Sequence, residues 1–571
     1  MHKWGDNPYS PGVDAPWVKH YQPGVPAQIE LPTQSLSSMV EQAVAEAGNN
    51  VAMEFFGAET TYTALGDQIA RAAEGLRQLG VQAGDRVAII LPNCPQHMVA
   101  FYAVLRLGAV VVEHNPLYTE RELRHMFEDH AARVAICWDV AVPKLTALPD
   151  DVAADHIVAV NMLTEFPLVK RLALKLPVPK LKETRDKLTA PAPGAMTWAQ
   201  LLDGPPLIST HPRPSVHDLA VIGYTSGTTG TPKGAMLSHY NLYANARQGR
   251  AWMHGALPRK EVFYVVLPMF HSFGMTLFLT CGVLLQARMV LFPAFDPELV
   301  LTAAKKRPPT VYIGVPTVYE RTATLAAERK VSFSSTKFCI SGAMNLPDST
   351  VDLWESTAGG LLVEGYGMTE ASPVCLGNPF HPTRRTGTIG VPFPSTSMKV
   401  VDPDDPTREV AQGERGELLI KGPQVFSGYW NNDEETAKAL LPGGWLRTGD
   451  LVTVDADGYT TIVDRVKELI ITGGFNVSPS EVENVLRAHP DLADAAVVGI
   501  PSPSGGERVV AVVLLRPGAE LDVEPVRQWC RERLAAYKVP RDIVALSDLP
   551  RSMLGKILRR EVREHYLAEH G

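Results

Sequence analysis

Two rhythms of apolar and polar residues alternate along the first 130 residues. QIARAAEGLRQLG repeats apolar positions at helical spacing and stops on Gly80, and VAIILP after it reads as a buried strand. The pair of signals returns in HMVAFYAVLRLG and AVVVEHN, then in ELRHMFEDHAA and RVAICW. LAVIGY, ending at Tyr224, is a further apolar strand. Helix and strand in alternation predict a doubly wound α/β fold.

The rhythm changes at about residue 386. MKVVD, GELLIKG, LVTVD and YTTIV are short strands between Gly/Asp turns such as DADG, so 386–464 reads as a β-rich subdomain. Beyond Arg465 the pattern is mixed: EVENVLRAHP and VRQWCRERL are helical, AAVVGIP and VVAVVLL are strands. The division expected is an N-terminal domain over 1–464 and a small α+β domain over 465–571, near the commonest domain size.

Composition narrows the class. A chain of 571 residues exceeds the roughly 250–300 at which single cores stop growing. Hydrophobic residues make up 45% and charged residues 20%, ordinary for a globular enzyme, and the net charge of −8 gives no reason to expect nucleic acid as a partner. The six cysteines form no CxxC pair, which fits a reducing cytoplasm and argues against a zinc site. MHKWGDNPYSPGVDAPW lacks the apolar core of a signal peptide, and Gln286 and Arg288 interrupt LFLTCGVLLQARMVLF, which reads as a buried element rather than a membrane span.

Thr225–Gly234, within YTSGTTGTPKG, holds four Thr, one Ser, three Gly, one Pro and one Lys. Glycine lets backbone N–H groups approach a phosphate, hydroxyls add donors and Lys233 adds charge. A strand leads into the loop, and a helix with Ser238 as N-cap is expected after it. The spacing is not that of a Walker loop, because Gly234 rather than a hydroxyl residue follows Lys233. Composition alone leaves a phosphate loop and a polar linker equally open.

Companion motifs separate the two. YTSGTTGTPKG resembles the signature loop of the adenylate-forming superfamily, and LPMFHSFGM, EGYGMTE, GGWLRTGD, IVDRVKELIITGGFNVSPSEVE and LPRSMLGKILRR follow in that superfamily's order. The resemblance spans nearly all of the chain from about residue 45. NPLYTERELRH, EGYGMTEASPV, KGPQVFSGYW and GFNVSPSEVE look most like long-chain fatty acyl-CoA synthetases.

The resemblance implies two half-reactions. A fatty acid carboxylate attacks the α-phosphate of ATP, giving acyl-AMP and pyrophosphate; the thiol of coenzyme A then displaces AMP. It implies that Thr225, Ser226, Gly227, Thr228, Thr229, Gly230 and Lys233 hold the departing phosphates. Mg2+ is expected between Thr225 and Glu370, two hard oxygen donors. Tyr366 would stack on adenine, with Gly342, Gly365 and Gly367 around it, and Thr369 would donate to the α-phosphate. Asp450 would accept both ribose hydroxyls and Arg465 would add a second ribose contact; an ion pair of Arg465 with Asp464 is the ordinary alternative. Lys556 would bridge the carboxylate and the α-phosphate, and His271 would line the carboxylate site. Lys467 marks the hinge that would replace Lys556 with Gly473 and Gly474, past which coenzyme A would run.

Some readings stay open. Ala343 stands where the superfamily frequently has a second glycine, and Met344 follows, so the acyl tunnel and the chain length it takes are not fixed. A medium-chain or aryl acid ligase, an enzyme loading a carrier protein, and a binding protein without turnover are the alternatives; a monomer and a homodimer are equally compatible. FPLVKRLALKLPVPKLKETRDKL, residues 166–188, is basic and partly amphipathic: either a solvated helix broken at Pro177 and Pro179, or a peripheral contact with the inner membrane surface.

Overall fold

The computed structural model describes residues 15–225, 232–358, 360–472, 475–502 and 507–570. Two large sheets dominate. One runs Met196–Thr197, His156–Val160, Val134–Trp138, Arg86–Ile90, Val110–Glu113, Leu219–Thr225, Lys233–Ser238, parallel throughout except for the last pair. The other has nine strands, with a parallel centre from Leu362–Gly367 through Phe338–Ser341, Val311–Gly314, Val262–Val265 and Arg288–Leu291 to Val51–Phe55. Antiparallel strands close both of its ends. Parallel strands are covered on both faces, which is why VAIILP and AVVVEHN are continuously apolar rather than alternating.

Each helix expected in the first 130 residues forms. Glu120–His130 begins in a capping box, with Thr119 and Glu122 bonding each other's backbone N–H groups. The apolar stretch after His271 is a buried helical element, Met275–Cys281 within it being a π-helix, and it feeds the strand Arg288–Leu291. All six cysteines are buried and free.

The β-rich segment forms an antiparallel sheet of Ser397–Val401, Gly416–Lys421, Trp445–Val454, Leu440–Leu441 and Thr460–Arg465. Past it, Leu492–Pro501, Glu507–Leu515 and Asp542–Leu546 make a three-stranded sheet with a separate apolar core on each face. Alternate residues serve the two cores: Val509, Ala511 and Val513 face Val482, Leu486 and Val526, while Val510 and Val512 face Val562 and Tyr566. Among the described residues, no helix is long and apolar enough to cross a membrane.

Candidate active site

The loop that opens the site joins two strands, not a strand and a helix. Leu219–Thr225 and Lys233–Ser238 are antiparallel, and Thr225 is the register partner of Lys233. The helix His239–Trp252 starts only after that second strand, with Ser238 as N-cap in a capping box. The expected helix and its cap are therefore present, but an unexpected strand precedes them. KGAMLS is short and begins with lysine and glycine, so its period-2 signal is weak. Ser226, Gly227, Thr228, Thr229 and Gly230 lie outside the described residues, as do Gly473 and Gly474.

The strand Lys233–Ser238 is bordered by segment 427–430: Met236 N–H donates to the Gly428 carbonyl at 2.9 Å and Trp430 N–H to the Gly234 carbonyl at 2.7 Å. This brings KGPQVFSGYW against the strand that follows the loop. Lys233 is ion-paired with Glu435, and its ammonium lies 5.3 Å from the centre of the Tyr429 ring. The Lys233 hydrogen bond, followed by that of Lys438, holds the Glu435 carboxyl down at about 2. The Tyr429 hydroxyl donates to Glu370 Oε1 at 2.7 Å, and Phe426 N–H donates to the Glu370 carbonyl at 2.9 Å. Glu370 is thus buried with one oxygen engaged. Tyr429 belongs to the family-like motif KGPQVFSGYW, whereas Glu435 lies outside any of the motifs.

Thr369 connects this cluster to FHSFGM through its hydroxyl, 3.2 Å from that of Ser272. It packs over the strand leading to the loop so closely that a Cβ on Gly223 would come within 3.0 Å of Thr369 Cγ2. His271 caps the short turn after it, its Nδ1 accepting Phe273 N–H at 3.3 Å. Burial pushes the imidazole down to about 4, so it is neutral near pH 7 and carries its proton on Nε2. Gly342 follows the strand Phe338–Ser341, and its N–H donates to the Gly314 carbonyl at 3.3 Å. Gly365 and Gly367 lie on Leu362–Gly367; a Cβ on Gly367 would fall 2.1 Å from the Pro373 carbonyl oxygen, so the backbone there admits no side chain.

Tyr366, Asp450 and Arg465 form a second cluster, whose charges act on Lys556. The Tyr366 hydroxyl donates to Asp450 Oδ2 at 2.5 Å, and Arg465 Nε pairs with Asp450 Oδ1 at 3.0 Å. Asp450 is in mid-strand of Trp445–Val454. Arg465 does not take the Asp464 side chain as its ionic partner; Asp464 Oδ1 instead accepts the Arg465 backbone N–H at 2.7 Å. Tyr366 is buried, and its hydroxyl is pushed upward by burial and by the Asp450 charge.

Lys556 lies on a tight turn. Ser552 N–H donates to the Lys556 carbonyl at 2.7 Å and Gly555 N–H to the Ser552 carbonyl at 2.8 Å, with Gly555 at a φ of 81°. The turn rests on the N-terminal part: Asn115 Nδ2 donates to Met553 Sδ at 2.7 Å and Leu554 packs against the main core. Burial, with Arg465 second, pushes the Lys556 ammonium down to about 8, against the opposing pull of Glu468 and Asp450. A primary amine held near 8 and acted on by a guanidinium suits a site for polyanions.

A nearby residue the sequence reading passed over is Glu364, which opens the EGYGMTE motif. It is buried, and burial pushes its carboxyl up to about 8. Ala343 has a φ of 67°, the left-handed region where a glycine is unstrained. Met344, expected to border an acyl tunnel, also faces the Lys556 turn: a Cβ on Gly555 would lie 3.3 Å from its sulfur.

The AMP-binding enzyme family matches residues 40–430, and the AMP-binding enzyme C-terminal domain matches residues 481–556. The chain belongs to the AMP-binding enzyme family. It is an ATP-dependent ligase of that family, working with ATP, Mg2+ and coenzyme A. It is 37% identical to a long-chain-fatty-acid–CoA ligase of Bacillus subtilis, over 97% of this chain and 99% of that one, and 37% identical to one of Escherichia coli O6:H1, over 96% and 98%. A feruloyl-CoA synthase of Amycolatopsis is 34% identical over 93% and 99%. Among solved structures, ATP-bound MatB from Rhodopseudomonas palustris superimposes with a TM-score of 0.81 at 30% identity, covering 94% of this chain and all of that one. For apo MatB the TM-score is 0.70, at 30% identity and 95% and 100% coverage.

Proposed function

We propose that this chain activates a long-chain fatty acid as acyl-AMP, releasing pyrophosphate, and then passes the acyl group to coenzyme A, releasing AMP. The observation that carries this is the Asp450–Arg465 ion pair beside Tyr366, whose charges act on the Lys556 ammonium, supported by relatives named as long-chain-fatty-acid–CoA ligases.

A carboxylate is a poor acyl donor until its oxygen is made part of a phosphate leaving group. In this reading, ribose binds at Asp450 and Arg465 and adenine at Tyr366. The loop from Thr225 to Lys233 takes the β and γ phosphates, so Glu435 yields its lysine to ATP. The fatty acid carboxylate oxygen attacks the α-phosphorus, the bond to the β-phosphate oxygen breaks, and pyrophosphate leaves. Both reactants are anions, and the Lys556 ammonium lies between them where little water screens it. The Thr225 hydroxyl and the free Glu370 oxygen suit Mg2+, which needs few protein oxygens beside those of phosphate, and the metal would neutralise charge on the phosphates. His271, being neutral, orients the carboxylate without pairing with it.

For the second half-reaction, residues 465–571 rotate about Lys467 relative to 1–464. Lys467 is exposed in the short turn Val466–Glu468. Asp464, just before it, accepts hydrogen bonds from Ser478 Oγ and from Ser480 N–H at 3.1 Å, bonds that span the hinge and must part. The better superposition on ATP-bound than on apo MatB fits an arrangement poised for adenylation. Lys467→Pro should spare adenylation and cripple thioester formation; unchanged thioester formation would count against the hinge.

The same reading gives the chain a cytoplasmic location and a peripheral membrane contact through 166–188. Aryl acids are the second reading, favoured by the feruloyl-CoA synthase relative and by the likeness to an anthranilate CoA ligase in complex with anthranoyl-AMP (TM-score 0.79, 26% identity, 95% of this chain and 99% of that one). Coenzyme-A-dependent AMP release across acids from acetate to oleate, with ferulate and anthranilate included, separates them. Strong turnover with oleate is expected; turnover confined to short or aryl acids would overturn the long-chain assignment.

A further inference from the structure

The clearest surface feature outside the active site lies in residues 166–188. The segment folds as two short helices, Leu168–Ala173 and Pro179–Leu188, joined by a stretch holding Pro177. Its inner side is anchored: Leu174 is in the main core, Leu181 and Leu188 pack against that core, and Trp138 Nε1 donates to the Leu188 carbonyl at 2.9 Å. Its outer side is apolar. Leu168, Val169, Leu172, Leu176 and Val178 are exposed, Val169 by 79% and Leu168 by 62%. Thirteen large apolar side chains are exposed among the described residues, and five of them fall within these eleven positions. Scattered exposed leucines need no explanation, but a cluster of this density does.

Charge indicates the occupant. Residues 166–188 hold seven cations (Lys170, Arg171, Lys175, Lys180, Lys182, Arg185, Lys187) and two acids (Glu183, Asp186), on a chain whose net charge is −8. A local excess of five positive charges interleaved with exposed leucines complements a surface that is anionic at its face and apolar just beneath. Lysine and arginine can rest their charge among headgroups while the leucines enter the acyl boundary. A nucleic acid would use the cations but leave the leucines in water, and an apolar protein partner would leave most of the cations without counter-ions.

We infer that residues 168–187 dock this protein on an anionic lipid bilayer, inserting Leu168, Val169, Leu172, Leu176 and Val178 shallowly among the acyl chains. This deepens the membrane contact proposed above and rests on nothing at Lys556. The docked segment is a surface element, since neither helix is long enough to span.

The test is co-sedimentation of the full-length protein with phosphatidylcholine vesicles and with mixed phosphatidylcholine–phosphatidylglycerol vesicles. The wild type should bind the mixed vesicles far more tightly, and salt should weaken that binding. Lys175→Glu with Lys180→Glu should lower affinity on the order of fivefold for each cation lost. Leu172→Asp with Leu176→Asp should abolish binding. Both variants should keep wild-type AMP release with a soluble medium-chain acid, so failure here is distinguishable from failure of the ligase reading. Equal binding to both vesicle types, binding retained by the leucine variant, or loss of a dimer rather than of vesicle binding in that variant would each overturn the inference.

Discussion

Asp450 and Arg465 meet twice: as register partners on adjacent antiparallel strands, and as an ion pair of 3.0 Å between Oδ1 and Nε. The other oxygen of Asp450 accepts the Tyr366 hydroxyl. Three residues expected around one nucleoside are therefore joined through Asp450. Asp450→Asn would keep the shape and remove the charge that holds Arg465. Since hydrogen bonds to charged groups are the stronger kind, kcat/KM for ATP in pyrophosphate exchange should fall by on the order of ten- to a hundredfold. An unchanged value would remove Asp450 from the nucleotide site.

Lys556 gives the reaction an alkaline limb. Its ammonium is held down at about 8, and only the protonated form can lie between two anions. kcat/KM reports the free enzyme, so for adenylation it should decline as pH rises through about 8. Lys556→Arg, whose guanidinium keeps its proton, should flatten that limb whatever it does to the absolute rate. His271 is already neutral above about 4 and contributes no step nearer neutrality. A limb that persists unaltered in the arginine variant would assign it to another group.

The Tyr429 hydroxyl holds one oxygen of Glu370 while its ring lies near the Lys233 ammonium. Tyr429→Phe keeps the ring and removes the hydroxyl, leaving Glu370 without its donor. The Mg2+ concentration needed for half-maximal pyrophosphate release should rise severalfold, with little change in KM for the fatty acid. A shift in the fatty acid KM alone would show that Tyr429 serves the acyl site instead.

Glu364 links the active-site strand to stability. Burial raises its carboxyl from the usual 4.5 to about 8, so the folded chain holds a proton that the unfolded chain has lost between those values. The contribution is fully present below about 4.5 and is lost as pH rises through about 8. Glu364→Gln cannot ionise, and its Tm advantage over the wild type should widen from about pH 5 to about pH 8. A gap independent of pH would mean that Glu364 ionises in the fold as it does in the unfolded chain.

The parallel sheets were legible because burial on both faces leaves strands as plain apolar runs, as in VAIILP. The strand Lys233–Ser238 was not, since its register comes from pairing with Leu219–Thr225 and with segment 427–430 rather than from its own pattern. In the candidate site, the motif residues could be named in order, yet their mutual contacts could not. Glu435 pairs with Lys233 across 202 positions of sequence, and local spacing carries no trace of such a meeting. The burial of Glu364 was hidden for the same reason: its surroundings are built by Leu346 and its own strand's neighbours in space.

The half-reactions of Lys556→Ala test the central claim most directly. Acyl-AMP formation from oleate and ATP should fall by on the order of a hundred- to a thousandfold, as expected when a preorganised charge is lost from a reacting centre. Acyl-CoA formation from supplied oleoyl-AMP and coenzyme A should stay close to wild type. Equal loss in both half-reactions would contradict the assignment of Lys556 as the adenylating cation.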